Sequence, residues 1–427
     1  MLKFSYILIT LMFVLSCESL NVDDPNASSP DRASVQNLVT GIESQIKRNV
    51  TEYVQWTGVV ARESHLIQTV DPRLHSLYKE TKEIHNYSGD FIGTRVWNAR
   101  YRTIRGLNDL EAKTSDPLVH AFTKTLKAHQ FMILINMYEK SGIRRDVADP
   151  NNMGPIVTDV KSNYEYCATL LDEANSTLSG VTGNLPFTTV QFPNTVAEFK
   201  KFNRALKARA ALYAENWQEA LTAVNESFIK ETDELDAGAY YIFTNSNNDL
   251  ARNPAYDNNS VPTVTYVAHN SMYTDAIAAG EANRADKVLV RLKDAKKDTL
   301  MTRTLVEPGG SVYSSIYGFK KSSSPTDKFP IIKNAELILI RAEAKLKTGD
   351  AAGATADLNI IRAKHSLTAL TGDATIDHIL HERRYELLSE GHRWIDLRRT
   401  GKLTFDNIPK DNATDGIVTH WALPQDE

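Results

Sequence analysis

Most of the chain carries apolar residues at the spacing of amphipathic helices. Trp97, Tyr101 and Ile104 recur at i, i+4 and i+7, which places their side chains on one helical face. A second apolar stripe of this kind covers 118–140, and 35–68 predicts one or two further helices. The pattern therefore predicts a mainly α-helical fold.

Two later segments each predict a pair of helices joined by a tight turn. A turn at 215–216 precedes Ala220 in the first segment, and a turn at 349–350 precedes Ala354 in the second. Small residues after a tight turn allow two helices to cross closely, as in tetratricopeptide repeats. The two pairs do not follow a fixed period of about 34 residues, so a continuous solenoid is not predicted.

The segment 235–330 differs from its flanks. It is rich in Asn, Ser, Gly and Pro, and its few apolar runs, at 263–267 and 288–290, predict short strands. We therefore predict a helical scaffold formed by 35–234 and 331–427. An irregular, loop-rich insert would lie between the two parts of this scaffold.

The beginning of the chain predicts export. Residues 1–16 contain one lysine and then an apolar run too short to span a bilayer, which is the pattern of a signal peptide. The run ends at Ser16-Cys17 like a bacterial lipobox, so we expect cleavage and lipidation at Cys17. An ordinary signal peptide followed by an incidental cysteine is the alternative. Residues 17–34 are polar and predict a lipidated linker, which leaves 35–427 as a single domain.

Composition and charge narrow the possible partners. The chain has 427 residues, of which 42% are hydrophobic and 24% charged, as is usual for globular proteins. Its net charge of −4 argues against nucleic acid as a partner and against a polybasic membrane patch. Cys17 and Cys167 are the only cysteines. If Cys17 is acylated, no intrachain disulfide can form, and Cys167 is expected to be a core residue of a helix.

The densest charge pattern of the chain lies in 376–401. Its defining residues are Glu382, Arg383, Glu386, Glu390, Gly391, His392, Arg393, Trp394 and Asp396. The three glutamates are spaced i, i+4 and i+8, so they would share one helical face, with the glycine as a left-handed residue after the helix. Paired carboxylates near a histidine are one form of acid/base machinery. Because the nearby arginines would keep these carboxylates ionised, a structural ion-pair network is the preferred interpretation.

The stretch ERRYELLSEGHRWIDLRRTG, at 382–401, resembles the C-terminal signature of the SusD/RagB family of outer-membrane nutrient-binding lipoproteins. That signature runs E-R-R-x-E-L-x-x-E-G-H-R-W-x-D-L-x-R. The resemblance implies a SusD-like fold of tetratricopeptide-like helical pairs around a variable insert. It also implies a surface-exposed protein, lipid-anchored in the outer membrane, that captures an oligosaccharide or other nutrient. A SusC-like TonB-dependent transporter would receive this ligand, and no cofactor or catalytic residue is implied.

Aromatic residues outside the helical stripes are the candidate ligand contacts. Flat rings cover the apolar face of a sugar, while Asn, Asp and Arg side chains bind its hydroxyl groups. The candidates are Trp56, Tyr78, Tyr256, Tyr273 and Tyr317. Core packing is the alternative for each of them.

Other chemistries find little support in the sequence. His378 and His381 have the i, i+3 spacing of a metal pair but adjoin two arginines, so no metal site is predicted. Motifs for zinc proteases, serine hydrolases and phosphate-binding loops do not occur. The predicted function is a glycan- or nutrient-binding lipoprotein without enzyme activity. Two alternatives remain: a surface glycoside hydrolase with Glu386 and Glu390 as its acid/base pair, and a structural subunit of a surface complex that binds no ligand.

Overall fold

A computed structural model describes most of the chain beyond its N-terminal segment. The described residues are 33–68, 93–232, 234–245, 251–256, 264–292, 301–306, 310, 312–320, 324–413 and 415–424. From Val35 to Glu427 the chain forms one compact unit. The predicted signal peptide, Cys17 and Tyr78 lie outside the described residues.

The first half of the chain is helical where the apolar stripes predict it. The elements are α1 (Val35–Ile46), α2 (Val50–Val60), β1 (Ser64–Gln68), α3 (Gly93–Lys113), α4 (Pro117–Tyr138), β2 (Ile143–Arg144), β3 (Ile156–Val157), α5 (Val160–Leu178), α6 (Val196–Tyr213) and α7 (Trp217–Glu226). Short polar side chains begin several of these helices. Asp116 accepts a hydrogen bond from the backbone N–H of Leu118, and Pro117 occupies the first helical position. The 35–68 segment thus contains two helices, as predicted, and then a strand.

The insert combines loops with short strands and two short helices. Its elements are β4 (Gly238–Tyr241), β5 (Val264–Ala268), α8 (Ser271–Ala278), α9 (Ala282–Val288), β6 (Leu289–Arg291), β7 (Arg303–Val306), β8 (Val312–Ser315), β9 (Tyr317–Phe319) and β10 (Phe329–Lys333). Both strands predicted from sequence are present, each displaced by one residue. Four antiparallel strands form one sheet in the order β1-β5-β9-β6, while β10 pairs with β4 and β7 with β8. The sheet therefore joins the insert to β1 of the scaffold.

The second helix pair consists of α10 (Asn334–Lys347) and α11 (Ala351–Lys364). Helices α3 to α7 each pack on the next one, α7 packs on α10, and α10 packs on α11. The two predicted pairs are therefore direct neighbours, although the insert separates them in sequence. Ala220 and Ala354 are both fully buried, which confirms their role at close helix crossings. The mainly α, tetratricopeptide-like scaffold is confirmed.

The C-terminal signature forms two helices, α12 (Ile376–Glu386) and α13 (Arg393–Arg399). The predicted helix through Glu390 is wrong, because α12 ends at Glu386. Leu387 and Leu388, in the turn that follows α12, are buried in two different hydrophobic clusters. Gly391 does adopt a left-handed conformation, with φ of 82°. A Cβ atom at this position would lie 3.0 Å from the Tyr53 ring, so the site suits glycine.

Burial in the core agrees with the prediction for Cys167, and the core also contains a pair of tryptophans. Cys167 is completely buried, and burial raises the pKa of its thiol, which confirms a core residue and not a nucleophile. Trp394 meets Trp421 edge to face at 5.5 Å and donates a hydrogen bond to the Val418 carbonyl. No helix in the described part of the chain has the length and hydrophobicity of a membrane span.

Candidate functional site

The signature residues form a buried ion-pair network around Asp396. Arg383 Nε donates to Asp396 Oδ2 at 2.7 Å, and Arg399 Nη2 donates to Asp396 Oδ1 at 2.9 Å. Arg399 also reaches Glu343, at 2.5 and 2.7 Å. Burial alone would raise the pKa of Asp396, but Arg383 and Arg399 outweigh it and lower that pKa to about 2. The predicted structural network is present here.

The first signature glutamate finds its partners outside the signature. Glu382 accepts hydrogen bonds from Arg362 of α11 and Arg284 of α9, not from the arginines that follow it in sequence. Arg362 also donates to Glu281, which accepts a further bond from His381. Burial would raise the pKa of Glu281, but His381 and Arg284 lower it to about 2. The network thus fastens α12 to a helix of the insert.

The two histidines considered as a metal pair have separate structural roles. His381 Nε2 lies 2.7 Å from Glu281. His378 takes part in a capping box with Thr375 at the beginning of α12. The structure therefore does not bring the two imidazoles together as ligands of one ion.

The other two glutamates of the signature share a buried lysine at the end of β10. Lys333 Nζ lies 2.8 Å from Glu390 Oε1 and 3.6 Å from Glu386 Oε1, and Glu386 also pairs with His365 at 2.7 Å. Burial alone would lower the pKa of Lys333, but Glu390 and Glu386 raise it. A neighbouring ammonium group keeps carboxylates ionised, which suits an ion-pair network and not a proton donor. The sequence predicts that nearby arginines hold these carboxylates, and the structure places Lys333 of β10 beside both of them.

Sequence reasoning did not identify Lys333 or His365. The only signal for Lys333 is a single lysine at the end of the apolar strand FPIIK, which indicates that its charge needs a buried partner. His365 follows α11 and carried no signal. The contacts of both residues depend on how β10, α11 and α12 pack together.

Glu386 and Glu390 also line a cleft of about 480 Å³ between the insert and the C-terminal helices. The other side chains that matter on its walls are Tyr240, Lys287, Lys328, Lys333, His365 and Tyr385. Lys328 Nζ stands 4.1 Å from the centre of the Tyr240 ring. Two of the signature glutamates therefore lie on the wall of a cleft.

His392 and Arg393 of the signature are buried, and each makes a hydrogen bond inside the protein. His392 Nδ1 lies 3.0 Å from the Tyr213 hydroxyl, and burial lowers the pKa of His392 to about 4. Arg393 donates to the Asn407 carbonyl at 3.3 Å, and burial together with nearby Arg384 lowers the pKa of Arg393 to about 10. Neither residue faces the cleft.

Two of the predicted ligand aromatics meet in the structure. The Tyr273 ring on α8 and the Tyr317 ring on β9 stack with centroids 4.5 Å apart and planes inclined by 16°. Arg291 of β6 pairs in register with Tyr317, and its guanidinium carbon stands 5.5 Å from the Tyr317 ring centre. Both tyrosines are half-buried, so part of each ring remains accessible. We call Tyr273, Tyr317 and Arg291 the tyrosine platform.

A network of hydrogen bonds fixes the tyrosine platform. Asn270, immediately before α8, donates to the Ser314 carbonyl and accepts from the Ile316 backbone N–H. Arg291 Nη1 donates to the Ile316 carbonyl at 3.0 Å. These contacts tie α8, β6 and β9 to one point, so the two rings are positioned before any ligand arrives.

The other predicted aromatics do not join the tyrosine platform. Trp56 is only 3% exposed and packs in the main hydrophobic core, which is the alternative considered for it. Tyr256 is half-buried, and its backbone N–H donates to the Asn253 carbonyl at 3.1 Å. Tyr78 lies outside the described residues.

Sequence comparisons point to one family. The profile of the SusD family matches residues 313–425, which include the whole C-terminal signature. SusD-like protein P38 of Formosa agariphila is 36% identical over 105 residues. That alignment covers 22% of this chain and 21% of P38, so the chain matches about a fifth of that relative's length.

Solved structures share the fold over most of the chain. Surface glycan-binding protein A from Bacteroides thetaiotaomicron has a TM-score of 0.64 at 14% identity, covering 91% of this chain and 93% of its own. A laminarin-binding SusD-like protein has a TM-score of 0.58 at 16% identity, covering 90% and 95%. At these low identities the matches show similarity of fold alone. The similar fold covers the scaffold and the insert as well as the C-terminal signature. The chain thus has the fold of SusD-like proteins, and its residues 313–425 match the SusD family.

Proposed function

We propose that the chain is a surface lipoprotein that binds oligosaccharides and passes them to a SusC-like TonB-dependent outer-membrane transporter. The match of residues 313–425 to the SusD family, whose proteins bind carbohydrate without catalysis, supports this function. Two proteins of the same fold are a surface glycan-binding protein and a laminarin-binding protein. The proposed role is binding and hand-over and contains no chemical step.

The tyrosine platform is the observation that carries this proposal. Sugar rings present C–H groups on their faces, and an accessible aromatic ring covers such a face with little loss of hydration. The guanidinium of Arg291 beside Tyr317 supplies N–H donors for hydroxyl groups at the rim of a sugar. Because hydrogen bonds already fix Asn270 and Arg291, binding orders few side chains and costs little conformational entropy.

Calorimetric titration against a panel of soluble glycans and peptides tests the proposal. We expect one glycan class to bind, and Tyr273→Ala and Tyr317→Ala each to weaken it by about 1–2 kcal/mol, or roughly five- to thirtyfold. Tyr166→Ala is the matched control, since Tyr166 is also half-buried with an arginine 5.4 Å from its ring centre, but lies on the helical scaffold. The control should bind like the parent protein.

The same titration separates the remaining possibilities. Loss of binding in Tyr240→Ala, with both platform variants unaffected, would transfer the site to the cleft beside Glu386 and Glu390. Binding of peptides alone would keep the capture role and change the ligand class. No binding across the panel, together with no transporter copurifying, would refute the proposal and favour a structural subunit.

The hydrolase alternative makes a different prediction. It requires turnover of a glycan that Glu386→Gln or Glu390→Gln abolishes. Both carboxylates are already engaged by Lys333, and Glu386 also by His365. We therefore expect glycans to be recovered intact after long incubation with the protein.

Anchoring and partnership are tested in cells. Replacement Cys17→Ser should abolish incorporation of labelled palmitate and release the protein from the outer membrane. Affinity purification of the lipidated parent protein should recover a TonB-dependent barrel. Unchanged lipid labelling in Cys17→Ser would contradict the predicted anchor.

A further inference from the structure

We propose that His65, His269 and Asp411 form a binding site for a divalent transition-metal ion, with Zn²⁺ as the best match. His65 lies on β1, His269 directly follows β5, and Asp411 belongs to the C-terminal loop. One ligand atom from each residue lies within 4.8 Å of the other two. Two imidazoles and one carboxylate are a donor set found at zinc sites and unsuited to Ca²⁺ or Mg²⁺, which prefer oxygen ligands.

The two imidazoles lie side by side in the core. His65 is fully buried and His269 is 5% exposed, with ring centres 4.7 Å apart. Two imidazoles packed side by side in this way can turn one nitrogen each towards a shared ion.

Hydrogen bonds around His269 allow a change of tautomer on binding. His269 Nε2 lies 2.9 Å from Asp411 Oδ1, while Nδ1 lies 2.8 Å from Ser271 Oγ and accepts from the Ser271 backbone N–H. Without metal, Nε2 carries the proton and donates it to Asp411. With metal on Nε2, the proton resides on Nδ1 and is donated to Ser271 Oγ, as metal-bound histidines commonly do. The change exchanges the hydrogen bond from the Ser271 backbone N–H for one from Nδ1 to Ser271 Oγ.

The geometry closes around an ion with small movements. Zinc bonds of about 2.0–2.2 Å in a tetrahedron require ligand atoms roughly 3.4 Å apart. The present maximum of 4.8 Å therefore demands shifts of at most about 1.5 Å. The Asp411 side chain is 19% exposed, so its loop can adjust and water can take the fourth position.

Arg62 limits the affinity of this site for a metal ion. Its guanidinium lies 3.8 Å from Asp411 Oδ2 and 3.5 Å from Asp415 Oδ2, so it competes for the Asp411 carboxylate from the side opposite Oδ1. Asp415 also accepts from the Tyr313 hydroxyl at 2.7 Å and remains as a partner for Arg62. A nearby cation weakens ions held by charge alone more than ions held by imidazole nitrogen, which further favours a transition metal.

Binding would add a link between the C-terminal loop and one end of the sheet. The strands β1 and β5 already pair with each other, and the loop contacts this end through the bond of Asp411 to His269 and the ion pairs of Asp411 and Asp415 with Arg62. We therefore expect metal to stabilise this end of the sheet, independently of any glycan bound at the tyrosine platform.

Zinc titration of the full-length chain, purified without a histidine tag and stripped with chelator, tests the site. We expect one Zn²⁺ per chain, a higher melting temperature with zinc, and a visible Co²⁺ spectrum of low-symmetry, four-coordinate type. Asp411→Asn retains an acceptor for His269 but removes the charge, and should weaken zinc binding by at least about tenfold. Ser271→Ala, which removes the acceptor for the Nδ1 proton, should weaken it by about the same factor.

Two controls make the outcome decisive. His378→Gln should bind zinc like the parent protein, because His378 and His381 are the alternative histidine pair. In the presence of chelator, each variant should melt at the same temperature as the parent protein. If His65→Gln fails to fold, Asp411→Asn, on a partly exposed loop, still tests whether the site binds zinc. Absence of stoichiometric binding, or equal binding by the parent and Asp411→Asn, would overturn the proposal.

Discussion

Asp396 provides the sharpest test of the C-terminal ion-pair network. Its carboxylate is 2% exposed and accepts from Arg383 at one oxygen and from Arg399 at the other. Replacement Asp396→Ala removes the described ion-pair partner of Arg383, whose side chain is 1% exposed and whose two Nη atoms have no hydrogen-bond acceptor in the described residues. Arg399 retains Glu343 as an ion-pair partner, so Arg383 is the buried cation that loses its described ion-pair partner.

The expected loss of stability follows from the buried charge of Arg383 that Asp396→Ala leaves without this partner. Removing one partner of a buried ion pair typically costs about 3–5 kcal/mol, because the remaining ion stays desolvated without compensation. We expect Asp396→Ala to lower the free energy of unfolding by this amount. Adding Arg383→Met should recover about 2 kcal/mol or more, since the double variant buries no unpaired charge.

Urea unfolding followed by tryptophan fluorescence measures these changes, with Trp394 in the same helix as a buried reporter. Asp377→Ala is the control, because Asp377 also lies in the signature region but pairs with Lys402 at a side-chain exposure of 68%. That surface pair should contribute less than about 1 kcal/mol. If Asp396→Ala cost no more than Asp377→Ala, the buried network would not hold this end of the protein together.

The pH dependence offers an independent measurement. The folded-state pKa of Asp396 is about 2, below the unfolded value near 3.9, so its stabilisation is complete above about pH 4 and is lost as the pH falls through 2. The difference corresponds to about 2 kcal/mol. The acid limb of a stability profile should therefore be shallower in the Asp396→Ala, Arg383→Met double variant. Identical acid limbs would refute the assigned pKa.

Three further predictions concern other parts of the fold. Ala354→Leu should cost about 1–3 kcal/mol by overfilling a helix crossing, while exposed Ala352→Leu in the same helix should stay within about 0.5 kcal/mol, as measured by urea unfolding. Cys167 should resist alkylation in the folded protein and react fully in urea, and fast reaction of the native thiol would contradict its burial. Arg393→Met should cost about 1 kcal/mol or less, because Arg393 has one long hydrogen bond and no ion pair among the described residues, and a larger loss would reveal a missing partner.

Several features of the fold follow from local spacing along the chain. Apolar periodicity identified the long helices, small residues after tight turns identified Ala220 and Ala354 as crossing points, and the C-terminal signature indicated a resemblance to the SusD family. Each of these depends on residues close in sequence, whose spacing and backbone preferences act within one element. The left-handed Gly391 also belongs to this group, although the helix that precedes it is shorter than its charge pattern predicts.

The partners of buried charges could not be read from the chain. Glu382 pairs with arginines of α9 and α11, and Glu386 and Glu390 pair with Lys333 of β10, because packing brings these elements together across long sequence separations. The same holds for Tyr273 with Tyr317, and for His65 with His269 and Asp411. Sequence thus determined which helices form and which family the C-terminal signature resembles. Only the tertiary structure decided which side chains meet, since a buried charge or ring takes its partner from whichever element packs against it.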